Sequence, residues 1–342
     1  MTHVRKEEEI MTHAEKTVTE VMRAAEYDRY GSPSGSGLQI RTVPRPQADH
    51  GQVLVRVHAS SVNPLDTTIR SGKLRFLTGN QFPKRTGIDF VGEVVEIKTE
   101  TPDFKVGDLV WGEMPLLVKR GFMQGCAADF VTISPSRIAS SPKRLNVLEA
   151  ASMASVGAVA VITLRDKAKL LHGERLLVRG AAGGVGCMTV QMGKLLGAHV
   201  TGLASAKDLD FLKELGADEA LDYRTTSPSS LAPFDVVLDL VGTDLSKYRR
   251  LLSRRGRMFC MAMSSRNIAS ILASTIFGSK RVQFFSATPM REIMTDLAAY
   301  VDAGSIHPVV HSIYDLDNIA EAHLSLEAEG GRGKRVIKHT DN

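Results

Sequence analysis

Apolar and polar positions alternate in short runs over the first part of the chain. Leu38-Gln39-Ile40-Arg41-Thr42-Val43 changes character at almost every step. Val53–Val57, Phe90–Val95 and Phe130–Ile133 are further β-rich runs, and Val106–Trp111 carries a Gly107-Asp108 turn before its strand. A period of two is that of a half-buried strand. Many such runs at close spacing predict a barrel-like antiparallel domain from Ala24 to about Ser141.

Past Pro142 the period changes. Asn146–Leu171 is Ala-rich and predicts two helices broken near Gly157. Strands and helices then alternate. The strands are Arg175–Arg179, Val200–Ala204, a short Glu219–Leu221 and a buried Val236–Leu240. The helices between them are Val185–Leu196 and Leu209–Leu215. This alternation predicts parallel βαβ units. The tail is mixed and ends in a strand over Arg335–Lys338, while residues 1–21 are polar and predict a flexible N-terminal extension.

Composition narrows the class. With 342 residues, 43% hydrophobic and 24% charged, the chain can build two folded domains and is not a disordered one. No apolar run has the roughly 18 residues of a membrane span. The N-terminus lacks the apolar core of a secretory signal. Cys126, Cys187 and Cys260 are scattered, with no C-x-x-C, so a reduced, cytoplasmic setting is expected. A formal charge of +5 suits an anionic ligand, but no nucleic-acid reading motif accompanies it.

The most informative stretch is Gly180-Ala181-Ala182-Gly183-Gly184-Val185-Gly186, directly after the Arg175–Arg179 strand and before a helix. Gly183 lets the backbone approach a pyrophosphate, and Gly186 lets helix and strand pack closely. Free N–H groups and the helix dipole then favour the anion. The second strand ends in Gly202-Leu203-Ala204-Ser205-Ala206-Lys207, with no carboxylate before Asp208. An NAD site wants an acid there for the ribose hydroxyls. A hydroxyl at Ser205 and a cation at Lys207 suit a 2′-phosphate instead, which predicts NADPH. Asp208 reads as a first-turn helix residue.

Other chemistries lack their residues. Val57–Arg70 offers His58 and Asp66 but no Cys, so a zinc ligand set cannot be assembled with ordinary spacing and no metal is expected. There is no G-x-S-x-G, and Cys187 reads as a small packed residue.

Seven ordered motifs resemble the zinc-free branch of the medium-chain dehydrogenase/reductase superfamily, the quinone oxidoreductase-like, zeta-crystallin-type enzymes. They are Ser61–Asp66 with Ile69–Gly72; Gly87–Val95; Phe104–Val110; Gly173–Val178 with Ala181–Gly186; Leu215–Asp218 with Asp222-Tyr223; Phe234–Asp239; and Gly331–Lys334. The resemblance implies an α/β protein: a GroES-like β-barrel catalytic domain plus a Rossmann doubly wound parallel sheet. Its boundaries would be 22–147 for the catalytic domain, 148–286 for the Rossmann domain, and 287–342 for a segment returning to the catalytic domain.

Carried over position by position, Ala182, Gly183, Gly184 and Val185 would contact the pyrophosphate. Ser205, Lys207 and Tyr223 would surround the 2′-phosphate and adenosine. Leu240 and Val241 would run beside the cofactor, Phe285 would flank the nicotinamide, and Arg332 would make a C-terminal cofactor contact. Asn63, Asp66 and Arg70 would form the catalytic set, with Asp66 and Arg70 alternatively a structural ion pair. The implied activity is zinc-independent, NADPH-dependent hydride transfer to a quinone or an α,β-unsaturated carbonyl. An enoyl or alkenal double-bond reductase is the alternative. So is a non-catalytic NADPH-binding protein, because relatives have a tyrosine near Thr68 and a threonine where Gly157-Ala158-Val159-Ala160 stands here. A homodimer is implied too, paired along an exposed Rossmann edge near Met258–Met261.

Overall fold

Four sheets are formed among the described residues, of three, seven, six and two strands. The structure is a computed structural model that describes residues 20–100, 103–115, 117–118, 121–122, 125–262, 282–285 and 288–339. The extension predicted over residues 1–21 lies outside it up to residue 19.

The first half is β-rich. Its strands are β1 (Val21–Tyr27), β2 (Gln39–Pro44), β3 (Gln52–Val62), β4 (Lys84–Arg85), β5 (Asp89–Lys98) and β6 (Leu109–Glu113). They continue with β7 (Leu117–Val118), β8 (Gly121–Phe122), β9 (Phe130–Ile133) and β10 (Ile138–Ser140). β1, β2 and β4 form a three-stranded sheet and β7 and β8 a two-stranded one, while β3 organises the seven-stranded sheet: its first half pairs with β9, most of its length with β5, and Ala59–Val62 with a C-terminal strand. Val53, Val55 and Val57 of β3 pack with Phe90, Val94, Val110 and Val131 in the barrel core. β3 runs well past the predicted Val53–Val57, and β1 falls ahead of the predicted strands.

The second half is a parallel sheet of β11 (Arg175–Arg179), β12 (His199–Ala204), β13 (Glu219–Asp222), β14 (Phe234–Asp239), β15 (Leu252–Cys260) and β16 (Val282–Gln283). Its order is β13-β12-β11-β14-β15-β16, so the strands after β11 are added first on one side of it and then on the other. A crevice opens at the carboxyl ends of the strands at such a switch point. Strand β15 is not the edge expected at Met258–Met261: Met258 and Phe259 pair with Val282 and Gln283. The last strands, β17 (Val310–Asp315) and β18 (Lys334–Lys338), join the barrel sheet, with β18 inserted between β3 and β17.

The helices that matter for the site are α1 (Pro64–Arg70), α2 (Val147–Ala151), α3 (Ala154–Val161), α4 (Gly184–Leu195), α5 (Leu209–Glu214), α6 (Arg291–Asp302) and α7 (Ile319–Glu329). The break expected near Gly157 falls at Ser152-Met153 instead. Gly157 sits inside α3 because a Cβ there would stand 2.7 Å from Leu297 of α6. That glycine serves close helix packing, not termination. One apolar cluster crosses between the two halves, joining Val91, Trp111, Ala139 and Val336 to Val156, Leu176, Val178 and Phe259.

Candidate active site

The glycine loop is built by close contact. Gly180 turns the chain at φ +76°, a conformation that favours glycine. Its N–H and that of Ala181 both donate to Leu203 O at 3.1 Å, tying the loop to β12. A Cβ on Gly186 would meet Gly180 O at 2.3 Å, so only glycine lets α4 start against the loop. At Gly183, the N-cap of α4, the nearest atom to a Cβ would be 3.5 Å away, so that face of the loop is open. The first N–H groups of a helix have no intrahelical acceptor. An open glycine face, unpaired donors and the positive end of a 12-residue helix fit a dinucleotide pyrophosphate.

A second chain segment crosses the loop. Gly333 forms a parallel bridge with Gly183, and its N–H donates to Ala182 O at 3.1 Å. Beside the loop, a Cβ on Gly180 would touch Leu240 and Val241 at 3.4 Å each. Asp239 holds that neighbouring turn by accepting from Val241 N at 2.9 Å and Gly242 N at 2.8 Å. Its other oxygen is ion-paired with Arg179.

At the far end of β12, predicted residues converge on one that was passed over. Ser205 Oγ donates to Asp208 Oδ2 at 2.7 Å, and Arg332 Nε donates to Asp208 Oδ1 at 2.7 Å. Arg332 also donates to Lys207 O at 2.5 Å and lies 5.0 Å over the Phe211 ring. Burial pushes the Asp208 carboxyl up, but hydrogen bonds from Arg332 and Ser205 outweigh it and hold the group below its usual range. Tyr223 N donates to Ala204 O at 3.0 Å, which brings its half-exposed ring to the same strand end. Arg224, absent from the sequence reading, donates to Tyr223 Oη at 3.2 Å. Lys207 is exposed.

Against Gly184 of the glycine loop lies a buried polar cluster. Lys334 Nζ donates to Asn63 Oδ1 at 2.5 Å and to Val62 O at 3.1 Å, and lies 3.8 Å from Asp89 Oδ2. Asn63 Nδ2 donates to Asp89 Oδ1 at 3.3 Å, which Ser61 Oγ also reaches at 2.6 Å. Glu113 pairs with Asp89 across β5 and β6. Burial, helped by the Asp89 charge, pushes the Glu113 carboxyl up to about 8. Burial lowers the Lys334 ammonium from its ordinary value. Sequence reasoning missed Asp89, Glu113 and Lys334. The signal was available for Asp89, an acid inside the apolar run Ile88–Val91.

Of the other predicted residues, Asp66 borders this cluster, while Arg70 and Phe285 have partners elsewhere. Asp66 accepts from Asn63 N at 2.8 Å and Gly87 N at 3.0 Å, so it holds the turn that carries Asn63. Burial lifts its carboxyl to about 6. Arg70 is fully buried and is engaged by Gly31 O, His323 Nδ1 and Glu327, which ties α1 to α7. Asp66 and Arg70 are therefore not ion-paired to each other; each has other partners. Phe285 packs edge-on against Phe259 at 6.0 Å, with Lys167 Nζ 5.8 Å above its ring. Among the described residues, no group of three or more His, Cys, Asp or Glu is placed to hold a metal ion.

A dinucleotide loop set against a buried polar cluster of a GroES-like barrel is the arrangement of a nicotinamide-dependent oxidoreductase. Residues 49–143 match the alcohol dehydrogenase GroES-like domain model, and residues 215–337 match the zinc-binding dehydrogenase model. The chain is 32% identical to human "NAD(P)H oxidoreductase RTN4IP1, mitochondrial", over 84% of this chain and 81% of the relative. It is 31% identical to "2-methylene-furan-3-one reductase" of Solanum lycopersicum, over 92% of this chain and 79% of that protein. The quinone oxidoreductase structure from Coxiella burnetii superposes with a TM-score of 0.83 at 29% identity, covering 93% of this chain and 99% of that one. The chain belongs to the medium-chain dehydrogenase/reductase superfamily, among its quinone oxidoreductase-like members.

Proposed function

We propose that this protein is a zinc-independent, NADPH-dependent reductase of quinones or α,β-unsaturated carbonyls. The observation that carries the cofactor choice is the end of β12, where Asp208, the first carboxylate after the strand, is ion-paired to Arg332, which also reaches Lys207 O, and Arg224 is held on the neighbouring Tyr223. Such a setting favours a 2′-phosphate by charge-assisted hydrogen bonds. The bound cofactor supplies the hydride. The chain supplies binding, position and electrostatics. The glycine loop and α4 hold the phosphates. Asn63, fixed between Lys334 and Asp89, offers an amide N–H to the acceptor's oxygen. Glu113, lifted to about 8, keeps its proton near neutral pH and adds no charge beside Asp89.

Zinc independence draws support from the chemistry of the barrel pocket. An ammonium already stands 3.8 Å from Asp89, where it balances the buried carboxylate. The acceptor class draws support from relatives: the Coxiella burnetii protein is called a quinone oxidoreductase and the tomato protein a 2-methylene-furan-3-one reductase. Oxidation of NADPH and NADH should be followed against quinones, enals and enones, with and without a strong chelator. The expected outcome is NADPH-preferring turnover that survives chelation. Preference for NADH, or chelator loss restored by zinc, would reject the reading. NADPH binding without turnover on any acceptor would leave a binding protein rather than an enzyme.

A further inference from the structure

We propose that Lys334 is a positioning residue of the reductase: it fixes the Asn63 amide so that one Nδ2 hydrogen faces the acceptor oxygen that becomes negative on hydride transfer. The inference rests on the reading above, in which Asn63 lines the acceptor pocket. An enone gains the hydride at its β-carbon, its π pair moves to oxygen as an enolate, and solvent supplies the closing proton, while NADPH leaves as NADP⁺.

The geometry starts at Gly333, whose bridge to Gly183 places the next residue over the glycine loop. The Lys334 stem crosses Gly184 so closely that a Cβ there would stand 2.9 Å from Lys334 Cδ. The side chain is 4% exposed, and its ammonium reaches Asn63 Oδ1 at 2.5 Å. An ammonium can only donate, so the amide oxygen must face it and the nitrogen must face away. Asp89 Oδ1 takes one Nδ2 hydrogen at 3.3 Å. The second is available to a ligand. Asp89 Oδ2 and Glu113 Oε2, in the same cluster, are buried with no hydrogen-bond partner.

A purely structural role accounts for less. The contact to Asp89, at 3.8 Å, is longer than the one to Asn63. A buried lysine carries a desolvation cost that a methionine of similar length would avoid while still covering Gly184. What the methionine cannot do is donate to Asn63 Oδ1 and so hold that end of the amide while Asp89 holds the other.

The test is a double-mutant cycle on the full chain, using NADPH and whichever quinone or enone the wild type reduces fastest. It reads kcat, KM, the NADPH dissociation constant and thermal melting. Lys334→Gln, which keeps a neutral donor, should lower kcat roughly tenfold, and Lys334→Met roughly a hundredfold. The NADPH dissociation constant should stay within about twofold, since the lost interaction acts in the transition state. In an Asn63→Ala background, Lys334→Met should add nothing, because coupled residues are non-additive. Full kcat in a folded Lys334→Met protein, or losses that simply multiply, would overturn the proposal. If Lys334→Met does not fold, Asn63→Asp decides: it keeps the oxygen that Lys334 holds and removes the donor. A large loss of kcat at unchanged NADPH affinity is then expected, and full activity overturns the proposal. A wild type that binds NADPH yet reduces neither class overturns the functional reading and this inference together. A normal wild type with indifferent variants overturns the inference alone.

Discussion

On the NADPH reading, Asp208 holds two of the groups that would receive the 2′-phosphate. Ser205 and Arg332 both donate to it at 2.7 Å, so an incoming phosphate competes with a carboxylate for them. Asp208→Asn should therefore raise NADPH affinity relative to NADH, by roughly threefold to tenfold, through removal of one like charge and release of Arg332. Lys207→Ala should move the ratio the other way by roughly tenfold or more. Dissociation constants for both cofactors check this, and equal changes for NADH and NADPH would mean that the side chains hold the loop only. Ser205, Lys207 and Arg332 were legible in the sequence, because strand end and motif mark them. Asp208 was not, since its partner Arg332 is 124 residues away and the chain order gives no hint of the pairing. The same holds for Lys334 and Asn63, 271 residues apart. A second consequence concerns pH. Glu113 rises from an ordinary 4.5 to about 8, mainly through burial. The folded state thus holds that proton more tightly than the unfolded one, and the stability it contributes is lost as pH rises from 4.5 through about 8. Buried His323 and His339 are lowered to about 3 and about 4, so their contribution is lost only as pH falls below the ordinary 6.5. Glu113→Gln should lose less melting temperature than wild type between about pH 6.5 and about pH 9. Parallel losses would show that Glu113 titrates normally.

Among elements, the loop between β11 and α4 separates two uses of glycine. Gly186 is needed for packing, because its Cβ would meet Gly180 O at 2.3 Å and Ala181 C at 2.6 Å. Gly183 is clear of protein atoms to 3.5 Å and has an unstrained φ of −71°. Gly186→Ala should thus destabilise the fold, by about 1–3 kcal/mol as overpacking does. Gly183→Ala should melt like wild type yet bind NADPH weakly, because its methyl enters the phosphate cradle. Melting curves and cofactor titration on both variants check this split. Strands β11 to β14 and α4 were legible because their periods are clean and the glycines punctuate them, whereas β15 and β16 were not among the predicted strands. The α2–α3 break was misplaced because a glycine that admits Leu297 looks, in sequence, like one that ends a helix. The full reach of β3 was hidden for another reason. Its later residues owe their strand pairing to β18 and, at Ala59 and Ser60, to β5, both tertiary contacts.

For the whole molecule, the shared core governs behaviour. Val91, Trp111 and Ala139 of the barrel pack in the same cluster as the parallel-sheet residues Leu176, Val178 and Phe259. Arg291 adds a polar tie, ion-paired with Asp103 at 2.6 Å and donating to Pro135 O at 2.7 Å. Calorimetry should show one unfolding transition, shifted upward as a unit by NADPH. Two separated peaks would mean that barrel and parallel sheet melt independently. The insertion of β18 between β3 and β17 has a further consequence, for synthesis. Arg335 pairs with Val62, which leaves the ribosome some 270 residues earlier. At roughly 5–20 residues per second, β3 is without that neighbour for tens of seconds. Gly333, which bridges the cofactor loop, emerges equally late. A nascent chain can complete its parallel sheet while still tethered, but neither the barrel seam nor the cofactor cradle closes until the final strand is free. A chain cut short before Gly333 therefore exposes the open flank of β3 and leaves the quality-control machinery an unpaired strand edge to recognise.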